Sequence, residues 1–245
     1  MNKTQKPSIK KTELQRLLSK LGIASRSKAA ELIKSGKVSV NGKIEKDPLS
    51  YISLNSKIKI IGNDTEDLIK KSKEKILIAF NKPKGVVTTK SDEKGRKTVY
   101  DVLPKEFHHL NPIGRLDMAT TGLLLFTNDN YLADKLLDPK NKISRTYVAV
   151  VKGEISNIEI NKLTDGIIED KELLKAKSIE IKKVSKKEST IIITLEQGKN
   201  REIRRLLSAI NHEVIKLKRI SFGEIHLGEL EIGKIKILEI PKIKQ

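Results

Sequence analysis

The feature that most limits what this chain can fold into is a break in its hydrophobic pattern. Residues 62–73 (GNDTEDLIKKSK) are polar, charged and without sustained period, so they have no apolar face to bury and read as a linker. On either side of them apolar residues recur at helix or strand spacing. The chain of 245 residues therefore divides into a small unit at 12–61 and a larger one at 74–245, preceded by a basic, flexible tail at 1–11.

In the small unit Leu14, Leu17, Leu18 and Leu21 fall at helical spacing, Thr12 followed by Gln15 suggests a capping box, and Gly22 is placed to end the helix. Ser25 is predicted to cap a second helix through Lys34, with Ala29, Ala30 and Ile33 inward and Gly36 as its stop. Val38 and Val40 then alternate with polar residues ahead of Asn41-Gly42. That pair favours a two-residue hairpin turn because both residues tolerate positive φ. Lys57 to Ile61 reads as a further strand.

In the larger unit the expected strands are Ile76 to Phe80, Val86 to Thr89, Leu123 to Phe126, Thr146 to Val151, Ile179 to Val184, Thr190 to Leu195 and Glu213 to Leu217. A short helix is expected at Thr98 to Leu103, another capped by Asp129 through Leu137, and a third from Arg201 to Ile210. Strands and helices mix without regular alternation, so the class is α+β, with a mainly antiparallel sheet and flanking helices, rather than a doubly wound parallel sheet.

Charge points to the partner. Fifty Lys and Arg against 31 Asp and Glu leave a formal +19, which concentrates polyanions by long-range attraction. Nucleic acid is the natural partner. The first twelve residues have no apolar face to lie on a membrane, and the longest apolar runs are far too short to span one. The absence of cysteine removes disulfides, thiolate nucleophiles and zinc fingers. A cytoplasmic protein is expected.

The segment Asn111 to Asp129 (NPIGRLDMATTGLLLFTND) places Arg-Leu-Asp in a loop ahead of a glycine-led apolar strand, the kind of rigidly mounted loop that presents catalytic groups. An aspartate in a loop ordinarily serves its own backbone. Its neighbours say more, because Gly-Arg-Leu-Asp, Thr-x-Gly-Leu-Leu-Leu and Thr-Asn-Asp closely resemble the pattern of ribosomal pseudouridine synthases of the small-subunit (RsuA) type. The resemblance continues through Lys82-Pro-Lys-Gly85, Arg145-Thr-Tyr147 and Gly198-Lys-Asn-Arg-Glu-Ile-Arg204-Arg-Leu206. Leu17 to Ile44 is similar to the S4 RNA-binding module, whose second helix and hairpin would present Arg26, Lys28, Lys34 and Lys37 to structured RNA.

Such a resemblance implies an enzyme that breaks the N1 to C1′ bond of a uridine, turns the uracil and joins C5 to C1′, without a cofactor. It assigns the essential carboxylate to Asp117, as nucleophile on the sugar or as base at C2′. An ordinary aspartate is ionised near neutral pH, and a guanidinium that pairs with it through two hydrogen bonds keeps it so; the resemblance gives that place to Arg204. Tyr147 would stack on the target base, since a free phenol, with a pKa of about 10, is a poor base at pH 7. Leu217 would lie against the uracil face, and Arg115 would lever or replace the flipped nucleotide. Arg201 and Arg205 are expected at RNA phosphates.

Other signals lead nowhere. His108 and His109 are adjacent and share no helix face, so no metal site is expected. With four Tyr, four Phe and no Trp the chain lacks the stacking platform of a single-strand groove. A methyltransferase would need a glycine-rich nucleotide loop after a strand, and there is none. A non-catalytic RNA-binding or ribosome-assembly factor remains the other reading, against which Asp117, Tyr147 and Arg204 stand together. Val87 to Pro104, with its Asp-x-x-Gly-Arg-x-Thr-Val run, resembles the large-subunit enzyme B type. The expected substrate is accordingly 23S rather than 16S rRNA, free or in a pre-ribosomal particle, and the expected state is a monomer.

Overall fold

A computed structural model describes residues 11–21, 23–24, 26–62 and 74–241. The chain separates into two compact units, Met1–Lys75 and Ile76–Gln245. The expected helix stop at Gly22, the cap at Ser25, nearly all of the 1–11 tail and nearly all of the 62–73 linker lie outside the described residues.

The first unit runs β1 (Lys11–Glu13), α1 (Leu14–Lys20), α2 (Arg26–Lys34), β2 (Val38–Val40), β3 (Lys43–Ile44), β4 (Tyr51–Ser53) and β5 (Ile58–Ile60). Leu14, Leu17 and Leu18 meet Ala29, Ile33, Val38 and Ile58 in its core, as their spacing predicts. The capping box at Thr12 does not form. Thr12 pairs with Ile52 in a β1–β4 ribbon, and the first helical N–H groups, of Leu14 and Gln15, donate instead to the carbonyls of Ser50 and Pro48. Gly36, at φ 72°, ends α2 in a Schellman arrangement: its N–H donates to the Ile33 carbonyl and that of Lys37 to Leu32. Asn41 and Gly42 both take positive φ and close the β2–β3 hairpin in the expected register.

The second unit is built on β6 (Leu77–Lys82), β7 (Asn111–Ile113), β8 (Thr121–Thr127), α3 (Asn130–Leu137), β9 (Arg145–Lys152), α4 (Asn157–Asp165), β10 (Ile167–Glu169), β11 (Glu172–Leu174), β12 (Ser178–Val184), β13 (Glu188–Leu195), α5 (Glu202–Ser208), β14 (Val214–Phe222), β15 (Ile225–His226) and β16 (Ile235–Leu238). Its main sheet has the order β12-β13-β9-β14-β8-β6-β16, with β7 beside β8 and β15 beside β14. Only the β8–β14 pairing is parallel. This is the expected α+β arrangement.

Two cores flank the sheet. Ile78, Phe80, Leu124 and Phe126 face one, with Ile160 and Leu163 of α4 and Ile203, Leu206 and Leu207 of α5. Leu77, Ala79, Leu123 and Leu125 face the other, with Leu132 and Leu136 of α3. Burial on both faces explains why β6 and β8 read as unbroken apolar runs. Asp129 caps α3, its carboxylate accepting from the N–H groups of Tyr131 and Leu132. Thr98 and Asp101 cap a short 3-10 turn at Val99–Asp101. Val86 to Thr89, however, is not a strand. Val87 makes a single parallel bridge to Thr98, because the Thr88 side chain is drawn to the loop that carries Asp117.

Candidate active site

The parallel register brings β8 and β14 close enough that a side chain at Gly122 has no room. A Cβ there would lie 2.2 Å from the Arg219 carbonyl oxygen, at a φ of +99° that L-residues rarely adopt. The glycine thus allows the loop just ahead of it, Leu116 to Thr120, to open beside the ends of β9 and β14. A cleft of about 340 Å³ forms there, lined among others by Arg115, Asp117, Tyr147, Arg201, Arg204 and Leu217.

Its floor is set by strand geometry. Arg145 and Tyr147 share one face of β9, being two residues apart. In the β9–β14 register Tyr147 lies opposite Arg219, Arg145 opposite Phe222, and Ala149 opposite Leu217. Arg145 is buried and donates to the carbonyls of Leu136, Ile143 and Glu196. Arg219 is buried too and donates to the Leu123 carbonyl at 2.6 Å. Both guanidiniums lie over the Phe222 ring, at 4.8 and 5.2 Å from its centroid, a contact that suits a weakly hydrated cation. Burial lowers the Arg145 pKa from its ordinary value, with Tyr147 opposing that effect, and raises that of the Glu202 carboxyl in the same lining.

At the mouth, the carboxylate of Asp117 is 34% exposed and lies 3.7 Å from the Arg201 guanidinium, itself 54% exposed. The expected partner differs from the one found. Arg204 donates to the Val214 carbonyl at 3.1 Å and makes no ion pair with Asp117 within 4 Å among the described residues. Burial lowers its pKa first, the Arg201 charge adds to that, and Asp117 opposes both. The reason is local. Arg201 precedes α5 in the left-handed region, φ 48°, which turns its side chain to the loop, while Arg204, one turn on, faces the end of β14.

Arg205 is likewise not where a phosphate contact would need it. Its guanidinium is bonded to Glu169 at 2.5 Å and Glu172 at 2.7 Å, tying α5 to the β10–β11 hairpin, and it does not line the cleft. Its charge is spent on these two carboxylates and on Asp170, at 4.0 Å. Arg115 is exposed at the rim, and Arg26, Lys28, Lys34 and Lys37 are all exposed in the first unit, with Lys28 paired to Glu31.

Lys82 carries no role in the sequence reading, though it opens the Lys-Pro-Lys-Gly motif. The side chain is fully buried and its Nζ donates to the carbonyls of Pro83, Asp117 and Thr120 at 3.0, 3.1 and 2.9 Å. Burial lowers its pKa to about 8, against the opposing charge of Asp117. A buried lysine needs such partners. Arg145 and Arg219 also escape that reading, although the two-residue spacing to Tyr147 and to Leu217 puts them on the same strand faces. Among the described residues no group of three or more His, Cys, Asp or Glu could hold a metal, and no helix is long and apolar enough to cross a membrane.

Comparison with known proteins gives the family and the fold. A family model described as RNA pseudouridylate synthase matches residues 76–209, and one for the S4 domain matches residues 14–49. The ribosomal large subunit pseudouridine synthase B of Bacillus subtilis (strain 168) is 41% identical over 216 residues, 87% of this chain and 86% of that protein. A protein of the same name from Vibrio vulnificus (strain CMCP6) is 35% identical over 218 residues, 88% of this chain and 68% of its own. The fold is that of a solved pseudouridylate synthase, with a TM-score of 0.64 at 24% identity over 93% of this chain and 96% of that one.

Proposed function

Because the chain belongs to the RNA pseudouridylate synthase family, we propose that it isomerises a uridine of 23S ribosomal RNA to pseudouridine, with Asp117 as the carboxylate that acts on the ribose. The observation that carries this reading is the placing of one partly exposed carboxylate, Asp117, at the mouth of a cationic cleft floored by Tyr147 and Leu217. A flipped uridine presents its sugar to Asp117 and its ring to Tyr147 and Leu217. The N1 to C1′ bond breaks, the uracil turns on that floor, C5 bonds to C1′, and the C5 proton leaves as N1 gains one.

Arg201 holds the Asp117 carboxylate in the free protein, and Arg204 supplies a second positive charge behind it. Arg145 and Arg219 contribute potential that favours the phosphates on either side of the target. The large-subunit choice rests on the names of the relatives and on the Asp92 to Val99 run. The S4 module and the net charge favour structured rRNA as the partner, in the cytoplasm. The proposed working form is a monomer.

The test is tritium release from unmodified 23S and 16S rRNA labelled with 5-³H-uridine, by the protein and by its Asp117→Asn form, followed by mapping of the modified nucleotide. Release from 23S rRNA by the first and none by the second is expected. Release from 16S rRNA alone would move the target. No release from either RNA, with both bound tightly, would favour an assembly factor that keeps the fold without the chemistry.

A further inference from the structure

The loop that carries Asp117 has almost no ladder of its own, yet its backbone is held at Leu116, Asp117, Met118 and Thr120 by the segment 82–88. Lys82 holds the carbonyls of Asp117 and Thr120, and the Gly85 N–H donates to the Met118 carbonyl at 2.8 Å. Leu116, at the start of the loop, is held on both of its peptide groups by one side chain. The Thr88 hydroxyl donates to the Leu116 carbonyl at 2.8 Å and accepts from the Leu116 N–H at 3.2 Å.

Those two groups belong to different peptide planes. The N–H lies in the plane that joins Arg115 to Leu116, and the carbonyl in the plane that joins Leu116 to Asp117. Peptide planes are rigid, so one hydroxyl bonded to both fixes φ and ψ at Leu116 together and sets the direction in which the Asp117 backbone departs. Thr88 is itself anchored. The Val87 N–H donates to the Lys97 carbonyl and its own carbonyl accepts from the Val99 N–H, each at 2.9 Å, while the Val86 and Leu116 side chains are buried on either side.

We propose that Thr88 is a positioning residue for Asp117, which it orients by bridging the N–H and the carbonyl of Leu116. The inference rests on Asp117 being the catalytic carboxylate. Thr88 touches neither substrate nor the reacting atoms, so its loss alters the chemical step and leaves RNA binding alone. A misplacement of about 1 Å costs on the order of 100-fold in rate.

The test compares Thr88→Val, which keeps the shape and removes the hydroxyl, with Thr88→Ser, which keeps the hydroxyl. Single-turnover pseudouridine formation in 23S rRNA, RNA affinity by filter binding and thermal melting are measured on each full-length protein. Thr88→Val is expected to slow the single-turnover rate by roughly 10- to 100-fold with affinity within about twofold of the parent. Thr88→Ser is expected to stay within about threefold of the parent rate. A Thr88→Val protein at the parent rate would overturn the inference. So would equal losses in Val and Ser, a fall in affinity that accounts for the loss of rate, or a Val variant that no longer melts cooperatively while Ser does, since that marks a folding role. An inactive parent protein would instead refute the proposed function.

Discussion

Lys82 makes a prediction in which activity and stability move in opposite directions with pH. Its ammonium is fully buried, and its pKa is lowered by burial from 10.5 to about 8. Between those values the unfolded chain holds a proton that the folded one has released. Stability therefore rises with pH across that window, by up to about 3 kcal/mol from this group. Below pH 8 both states are protonated and the cost of the buried charge is carried in full. The loop of Asp117, and with it the proposed activity, responds the other way. A neutral amine has two N–H groups for the three carbonyls that the ammonium now holds, so one of them, and with it the loop at Asp117, is released. The protonated fraction falls from about nine-tenths at pH 7 to about one-quarter at pH 8.5, so the single-turnover rate should fall roughly fourfold over that range. Stopped single-turnover reactions with enzyme in excess, paired with filter binding at each pH, measure this. Lys82→Met should be slow at every pH and lack the alkaline limb. A parent rate that stays flat from pH 7 to 8.5, or a limb that persists in Lys82→Met, would refute the role given to the ammonium.

Two further substitutions probe the frame of the cleft. Gly122→Ala forces a Cβ to within 2.2 Å of the Arg219 carbonyl oxygen and 2.8 Å of its nitrogen, so β8 and β14 must part; a loss of more than about 3 kcal/mol in urea unfolding, or no folded protein, is expected, and a parent-like midpoint would contradict the register. Arg205→Gln removes its ion pairs with Glu169, Glu172 and Asp170 and should lower the midpoint in the same assay with RNA affinity unchanged; the opposite result, weaker RNA binding at full stability, would restore Arg205 as a phosphate contact.

What the chain reveals by inspection is what short-range chemistry decides. The Asn41-Gly42 hairpin, the Gly36 stop, the Asp129 cap and the apolar run of β8 each depend on residues a few positions apart, and each forms as expected. The loop of Asp117 was legible for the same reason, since its neighbours make one continuous pattern. The Ser156 and Glu159 box that caps α4 was equally present in the sequence and was missed. The β10–β11 hairpin gave less warning, because its turn uses Asp170 and Lys171 at positive φ with no glycine to mark it. Long-range pairings left no mark at all. Arg205 reads as a free charge on a basic helix until Glu169 and Glu172, more than thirty residues upstream, come to meet it. Lys82 reads as a solvated lysine because two of its three carbonyls arrive from 35 and 38 residues away. The motif gives the carboxylate to Arg204 and a phosphate to Arg201, but the left-handed backbone at Arg201, which nothing in the sequence marks, brings Arg201 to the carboxylate instead.

The chemistry of the partners separates cations that shape the cleft's field from those that do not. A guanidinium bonded to a carboxylate is neutralised nearby, whereas one bonded to carbonyl oxygens is solvated by dipoles and keeps its net charge. Arg205 belongs to the first kind. Lys82, Arg145 and Arg219 belong to the second, held by carbonyls of Pro83, Asp117 and Thr120, of Leu136, Ile143 and Glu196, and of Leu123. These bonds stiffen the loops around the cleft and leave three positive charges, on Arg145 and Arg219 in its lining and on Lys82 beneath the Asp117 loop, with no carboxylate bonded to them. Two consequences follow from one arrangement. The Asp117 carboxylate faces the Arg201 guanidinium at 3.7 Å without being locked into a tight bidentate pair, as the proposed reaction requires if it is to reach a sugar. The same positive field extends to the mouth, where the proposed reaction would place the phosphates that flank a flipped nucleotide. A cleft whose cations were all matched by carboxylates would be as rigid, but it would offer less positive potential to the phosphates of the proposed substrate.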